Sequence, residues 1–306
     1  MNQAGNSTLP DSTETGRIKI LHLKRFWSKC ISKKNRLIPG GAFQEEWLLD
    51  HGVLNALGVS LEDSLSFVYN SDAGFDAFEN WIIEKNKGSL AEEKINSFNS
   101  FYRGEKDGIP ASEKILSDAD LDFFEKNGYV IIRQAVTPAQ CRAAEMKVWE
   151  HLGADPDDPS TWYDPHPDRK GIMIQLFHDE ALEATRRSEK IRQAYVHLYG
   201  HGRLLVTTDR VSFNPPETGS WTFPWPHLHW DVRLDKPVEF GLQGLLYLTD
   251  TKAEQGAFRL VPGFQHRINE WLASLPPGRD PQKENLEALG PKPIAANAGD
   301  FIIWHH

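Results

Sequence analysis

The sequence predicts an α+β protein in which helices come first and a double-sheet β barrel follows. Before Arg203, apolar residues recur at three- and four-residue spacing, which is typical of amphipathic helices. After Arg203, they occur in short β-rich runs that Pro, Gly and Asp separate. This order predicts a jelly-roll barrel with flanking helices and an N-terminal helical extension.

Length, composition and charge limit the classes of protein to which this chain can belong. The 306 residues suffice for one large domain, or for one domain with an appendage. A net charge of −9 argues against a nucleic-acid partner, and we expect no membrane span because no apolar run approaches ~18 residues. Residues 1–15 lack the apolar core of a secretory signal. Two cysteines, Cys30 and Cys141, favour a reducing compartment and predict a cytoplasmic protein.

The chain divides into three predicted segments. Residues 1–15 are polar and predict a disordered tail, residues 16–112 an N-terminal helical extension, and residues 113–306 the barrel domain. Residues 17–36 are basic, with apolar residues interleaved. We interpret this segment as a helix or strand docked on the body with its basic face in water; a helix on an anionic membrane is the alternative.

In the extension, four stretches carry helical spacing and four glycines separate them. The stretches are Phe43–Leu49, Leu54–Leu57, Phe75–Asn86 and Ala91–Tyr102. The glycines are Gly52, Gly58, Gly74 and Gly88.

Capping residues place the helices of the barrel domain. Ser117 with Asp120 resembles a capping box, and Thr137 with Gln140 forms another. The predicted helices are Ala119–Asn127, Pro138 to about Leu152, and Ser188–Tyr199, with a helical insertion at Asn269–Leu289. The predicted strands are Tyr129–Arg133, Leu204–Phe213, Glu239–Leu248, Ala257–Val261 and Phe301–Trp304.

The triplet His229-Trp230-Asp231 is the candidate metal motif. On an extended segment, residues two apart share a face, so His229 and Asp231 can hold one ion while Trp230 points away. Two histidines and one carboxylate leave open positions on the metal, which suits non-haem Fe(II) chemistry. The alternative for His229 is a core histidine bonded to a carbonyl. His227 is a competing ligand, although we favour a residue that supports the ligands or simply belongs to the loop.

A second triplet of the same form is His166-Pro167-Asp168. It lies in the Pro- and Asp-rich segment 155–171, with no strand around it. Because nothing in that sequence fixes the two side chains on a common face, we predict that it is not a metal site.

Several blocks resemble the phytanoyl-CoA dioxygenase family. They are the opening helix and strand from Asp118 to Arg133, His229-Trp230-Asp231, Gln255-Gly256-Ala257-Phe258 with Val261-Pro262-Gly263-Phe264-Gln265-His266, and Ala298-Gly299-Asp300-Phe301-Ile302-Ile303-Trp304. Their order across residues 113–306 makes the match specific.

The resemblance implies a double-stranded β-helix that uses Fe(II), 2-oxoglutarate and O₂ to oxidise a small molecule or an acyl substrate, yielding succinate. It implies that His229 and Asp231 bind the metal. Gln243, on the strand after the motif, and Trp230 are candidate contacts of 2-oxoglutarate.

The resemblance also predicts two positions beyond His306. In the family, a third histidine ligand follows the Gly-Asp turn by about ten residues, and an arginine that binds 2-oxoglutarate follows about ten later. His305 and His306 fall short of that position, so we expect a barrel without its last strands. Three explanations fit: a fragment of a longer active enzyme, a truncated product without activity, or a binding protein that kept the barrel. The first two are favoured, because loss of the last strands would expose an unpaired strand edge and open the core.

Two further functions are compatible with the sequence. A barrel without the third histidine and the arginine could bind a metal or a small carboxylate without catalysis. A metal-dependent lyase or isomerase of cupin type would work without O₂.

Overall fold

The computed structural model describes residues 9–105, 114–207, 210–224, 228–232, 234, 238 and 240–306. The chain forms two compact units. The first comprises Met1–Pro110 with His201–Arg210, and the second comprises Ala111–Gly200 with Val211–His306. The helices and small antiparallel sheets confirm a mixed helix-and-sheet protein.

The first unit is helical in its described residues. Its helices are α1 (Leu23–Lys34), α2 (Trp47–Ala56), α3 (Leu61–Asn70), α4 (Phe75–Lys85) and α5 (Glu92–Tyr102). They enclose one apolar core that includes Phe26, Val53 and Phe78, each at most 1% exposed. The predicted helices Phe75–Asn86 and Ala91–Tyr102 are confirmed within a few residues. Helix α3 was not predicted.

Gly52 does not end a helix, contrary to the sequence prediction. It lies within α2, and its hydrogen faces Leu205 and Phe98. A Cβ at this position would lie 2.9 Å from Leu205 Cδ1 and 3.2 Å from Phe98 Cε2. The glycine therefore allows close packing, and its conformational freedom is not needed there.

Helix α1 carries the basic segment, but one lysine is not in water. Lys29 is 2% exposed, and its Nζ lies 2.6 Å from Asp50 Oδ2 and 3.0 Å from Glu46 Oε2. Arg25 binds the other oxygen of Glu46 at 2.7 Å. The prediction of a solvated basic face is wrong for Lys29, because acids from outside 17–36 surround it.

His22 joins the same buried cluster. Its Nε2 lies 3.0 Å from Asp50 Oδ1, and its Nδ1 lies 2.9 Å from Ser12 Oγ. Ser12 belongs to the predicted disordered tail, yet it is buried and its carbonyl accepts the His22 amide. Within residues 9–15, Ser12 is thus the buried residue, while residues 11 and 13–15 are exposed. Residues 1–8 lie outside the described chain.

The predicted strand Leu204–Phe213 is largely wrong. Only Val211–Ser212 is a strand, residues 203–207 are irregular, and residues 208–209 lie outside the described chain. Leu205 instead packs into the core of the first unit. Tertiary packing has overridden the β propensity of this run.

The second unit contains five described helices. They are α6 (Asp118–Asn127), α7 (Pro138–Leu152), α8 (Glu180–Arg186), α9 (Glu189–Tyr199) and α10 (Ile268–Ser274). Both predicted capping boxes are confirmed: Ser117 pairs with Asp120, and Thr137 with Gln140. The predicted insertion Asn269–Leu289 is helical only at α10 and in two short 3₁₀ turns.

The strands of this unit form three small antiparallel sheets. The strands are β1 (Tyr129–Ile132), β2 (Arg169–Lys170), β3 (Met173–Ile174), β4 (Val211–Ser212), β5 (Leu242–Leu246), β6 (Arg259–Leu260), β7 (Lys292–Pro293) and β8 (Phe301–His305). The sheet orders are β1-β8-β5, β2-β3-β4 and β6-β7. The central sheet places Trp304 of β8 opposite Tyr129 of β1 and Gln243 of β5.

Alternation along β8 separates two apolar faces of the central sheet. Ile303 packs with Val130 and with α9, whereas Ile302 packs with Tyr247 on the other face. Leu245 belongs to the Ile302 face, and by alternation so does Gln243 two residues earlier. This face is the one from which the candidate site is built.

Asp300 anchors the start of β8. It is 2% exposed, and it accepts the amides of Gln134 at 3.0 Å and Asn297 at 3.1 Å and an Arg133 Nη1 hydrogen at 2.6 Å. Burial opposes ionisation, but these hydrogen bonds and the charge of Arg133 outweigh it and lower the pKa of Asp300.

We expect Asp300→Ala to lower the free energy of unfolding at pH 7 by roughly 2–4 kcal/mol, because two backbone amides and Arg133 lose the buried carboxylate that accepts their hydrogen bonds. Since the folded pKa of Asp300 is lowered, its contribution is present above the unfolded pKa of about 3.9 and is lost as pH falls through the folded pKa. Urea unfolding should show the difference from the parent narrowing below about pH 4. Asp122→Asn, on the exposed surface of α6, is the control; an equal loss there would contradict the role of Asp300.

In the part of the chain that the structure describes, every helix is too short or too polar to cross a membrane.

Candidate functional site

The imidazole of His229 and the carboxylate of Asp231 converge. Their segment, residues 228–232, is neither helix nor strand, yet His229 Nε2 lies 3.4 Å from Asp231 Oδ1. The side chains are 69% and 55% exposed, so the pair faces solvent. His229 is therefore not the buried core histidine of the alternative interpretation.

Gln243 holds Asp231 from the neighbouring strand. Its Nε2 donates to Asp231 Oδ2 at 3.0 Å, while Asp231 Oδ1 faces His229. Gln243 lies near the start of β5, whose register with β8 places it opposite Trp304. The carboxylate is thereby tied to the central sheet, although its own segment is irregular.

Trp230 points away from this pair, as alternation predicts. Its ring lies 5.3 Å from that of Trp271 on α10 and 6.1 Å from that of Phe264. Gln282 bonds the backbone on both sides: its Oε1 accepts the Trp230 amide at 3.3 Å, and its Nε2 donates to the Trp230 carbonyl at 3.1 Å. The central residue of the triplet therefore anchors the segment, leaving its two neighbours to turn outward.

A metal ion fits the chemistry of this pair. An imidazole nitrogen and a carboxylate oxygen are ligands of Fe(II). With bonds of roughly 2.1 Å, neighbouring ligand atoms of an octahedral ion lie about 3 Å apart, close to the 3.4 Å found between His229 and Asp231. The fold alone brings the two ligand atoms to this distance.

No third ligand joins this pair among the residues that the structure describes. His305 and His306 lie at the end of β8, where the His306 amide donates to the Gly241 carbonyl at 3.2 Å. The His305 ring packs against Phe240 at 5.2 Å. His227 lies outside the described residues.

The structure gathers a second set of ligands that the sequence did not predict. His151, His166 and Asp168 place their ligand atoms within 4.8 Å of one another. The sequence contained the His166-x-Asp168 triplet, but His151 lies fifteen residues earlier on α7. Only the fold shows that the three meet.

A family model and a curated relative point to the same family. The family model described as phytanoyl-CoA dioxygenase matches residues 124–306. A curated relative, a putative phytanoyl-CoA dioxygenase of Dictyostelium discoideum, is 20% identical over 60% of this chain and 67% of its own length.

Among solved structures, the chain is similar to a hypothetical protein, JW0805, from Escherichia coli. That match covers 97% of this chain and 80% of the other at 13% identity, with a TM-score of 0.42. The family match spans more than half of the chain, including β1, the His229–Asp231 pair, β5 and β8. The chain therefore belongs to the phytanoyl-CoA dioxygenase family.

Proposed function

We propose that this protein is an Fe(II)- and 2-oxoglutarate-dependent dioxygenase that hydroxylates a small molecule or an acyl substrate. The observation that supports it is the convergence of His229 Nε2 and Asp231 Oδ1 at 3.4 Å, within the segment that matches the family. When bound, Fe(II) with 2-oxoglutarate and O₂ supplies the oxidation, and 2-oxoglutarate leaves as succinate and CO₂.

The chain's own residues have separate tasks in this proposal. His229 and Asp231 bind the metal, and Gln243 holds the Asp231 carboxylate in place through its amide. Trp230, packed on Trp271 and tied to Gln282, fixes the backbone between the two ligands. Gln243 and Trp230 are also proposed to border the 2-oxoglutarate pocket.

The proposed fold of residues 113–306 is a double-stranded β-helix, with β1, β8 and β5 in one of its sheets. The substrate and O₂ reach the pair from solvent, to which both side chains are open.

We also propose a cytoplasmic location. Cys30 and Cys141 are both buried free thiols in different units, and burial raises the pKa of each. Such thiols are inert core residues and are compatible with a reducing compartment.

Conversion of 2-oxoglutarate to succinate tests the function. The protein, loaded with Fe(II) and supplied with 2-oxoglutarate, should form succinate in air, and should form none without iron or without O₂. Substrate-independent turnover is sufficient for this test. Turnover without O₂ would indicate the lyase or isomerase, and iron uptake with no succinate across a substrate panel would indicate a non-catalytic barrel; either result contradicts the proposal.

Removing the support of Asp231 should weaken iron binding. We expect Gln243→Leu to lower Fe(II) affinity by roughly 10–100-fold, because the carboxylate loses the amide that orients it. Calorimetric titration under anaerobic conditions measures this. Gln175→Leu, a half-buried glutamine of the same unit, is the matched control. Equal affinities of the two variants would show that Gln243 does not position Asp231.

A further inference from the structure

His151, His166 and Asp168 form a compact cluster that shares no residue with the His229–Asp231 pair. His151 lies in the last turn of α7, and the other two precede β2. His151 Nε2 lies 3.1 Å from Asp168 Oδ2, and the rings of His151 and His166 lie 5.2 Å apart. All three ligand atoms lie within 4.8 Å of one another.

The backbone fixes this arrangement. The Arg169 amide donates to the His166 carbonyl at 3.0 Å, and the Gln175 amide donates to the Asp168 carbonyl at 2.8 Å. Arg169 then pairs with Ile174 across β2 and β3. The segment 155–171, for which the sequence predicted no strand, therefore leads into strand β2. The side chains of His166 and Asp168 are thereby held beside His151 of α7.

His151 Nε2 is a buried polar atom without a hydrogen bond. It is inaccessible to solvent, and its contact with Asp168 lacks the geometry of a hydrogen bond. A buried nitrogen in this state destabilises the fold, because it has lost its contact with water and gained no hydrogen bond in exchange. An ion between His151 and Asp168 would supply the missing partner, because two ligands of a tetrahedral ion with bonds of roughly 2.0–2.1 Å lie about 3.3 Å apart.

The other three-ligand cluster of the described chain shows the contrast. His22, Glu46 and Asp50 also place ligand atoms within 4.8 Å of one another. There, however, the ammonium of Lys29 binds both carboxylates, at 3.0 Å and 2.6 Å. That cluster already contains its cation.

Within the described residues, the His151 cluster contains no such cation. Among the described residues, no lysine or arginine forms an ion pair with Asp168, and the neighbouring Arg169 donates to the carbonyls of Trp162 and Gly171. The Asp168 amide donates to His166 Nδ1 at 3.2 Å. A metal on Nδ1 would take the lone pair that accepts this bond, and a metal on Nε2 would leave the proton on Nδ1. In either case, metal binding gives up only this one long hydrogen bond.

We propose that His151, His166 and Asp168 bind a second divalent ion of the zinc type, which ties the 155–171 segment to the end of α7. Two imidazole nitrogens and one carboxylate oxygen are zinc ligands, and three protein ligands leave the fourth position to water. The ion gives His151 Nε2 its partner and neutralises Asp168. This site goes beyond the proposed oxygenase and does not depend on it.

Zinc titration against a competing chelator tests the site. The parent is the His229→Ala chain, in which the His229–Asp231 pair cannot contribute. It should bind one equivalent of Zn²⁺, and His166→Ala or Asp168→Asn in this background should weaken binding by about a hundredfold or more, because each loses a ligand. Asp164→Asn, an exposed acid of the same segment, is the matched control and should bind as the parent does.

A second readout follows the segment itself. Zn²⁺ should slow proteolytic cleavage within residues 155–171 in the parent and in Asp164→Asn. It should not slow cleavage in Asp168→Asn, in which asparagine has the shape of aspartate but lacks its charge. Absence of zinc binding by the parent, or equal binding by Asp168→Asn and Asp164→Asn, would overturn the proposal. Neither outcome affects the expected formation of succinate by the unmutated protein. The zinc site and the oxygenase function can therefore be refuted independently.

Discussion

Replacement of His229 by alanine is expected to lower Fe(II) affinity by more than about a hundredfold and to reduce succinate formation to background. Loss of a residue that merely orients a ligand costs roughly 10–100-fold, and loss of the ligand itself should cost more. His229 is 69% exposed, and its ring is not part of an apolar core cluster, so the variant should fold as the parent does. Anaerobic titration of Fe(II) and succinate quantitation measure the two effects.

His266→Ala is the control for this change. His266 is an exposed histidine of the same unit, with its ring against the Glu125 carbonyl at 2.7 Å. It should retain iron and turnover. If His229→Ala also retains both, His229 is not a metal ligand and the assignment of the site fails.

Lys29→Met is expected to destabilise the N-terminal unit by about 3–5 kcal/mol, because it leaves the buried carboxylates of Asp50 and Glu46 without their cation. The lysine is 2% exposed and bonds both acids, and His22 lies against the same Asp50 oxygen. Methionine keeps the length of the side chain, so little of the loss comes from packing. Hydrogen exchange of α1 and α2 amides in increasing urea measures the unfolding free energy of this unit.

Lys24→Met provides the comparison on the same helix. Lys24 is 37% exposed and pairs with the exposed Glu14, a contact that solvent screens and that contributes little to stability. A Lys29→Met loss no larger than that of Lys24→Met would show that the buried cluster does not depend on the cation.

Local signals predicted much of the fold. The capping residues Ser117 and Thr137 predicted the starts of α6 and α7, because the first amides of a helix need specific hydrogen-bond partners. Strand β1 and strand β8 follow from apolar runs at turns.

Other features depend on tertiary contacts, which no local pattern contains. Gly52 reads as a helix break, but it lies in α2 because Leu205, distant in sequence, packs against it. Leu205 itself reads as part of a strand and instead completes a helical core. Lys29 was predicted to lie in water with the other basic residues of its segment, because its partners Glu46 and Asp50 are distant in sequence.

The candidate site divides in the same way. The proximity of His229 and Asp231 was predictable because both residues lie in one triplet, although the segment that carries them is irregular and not the extended strand that the sequence predicted. The hydrogen bond from Gln243 to Asp231 required the strand order. His151 could not be joined to His166 and Asp168 from sequence, since the 155–171 segment has no periodicity that fixes its path.

Anomalous diffraction from crystals grown anaerobically with Fe(II) and 2-oxoglutarate locates the iron directly. We predict an iron peak within bonding distance of both His229 Nε2 and the Asp231 carboxylate, with the Gln243 amide still on the other oxygen of Asp231. Iron bound elsewhere, with His229 and Asp231 free of metal, would contradict the assignment of this pair as the oxygenase centre.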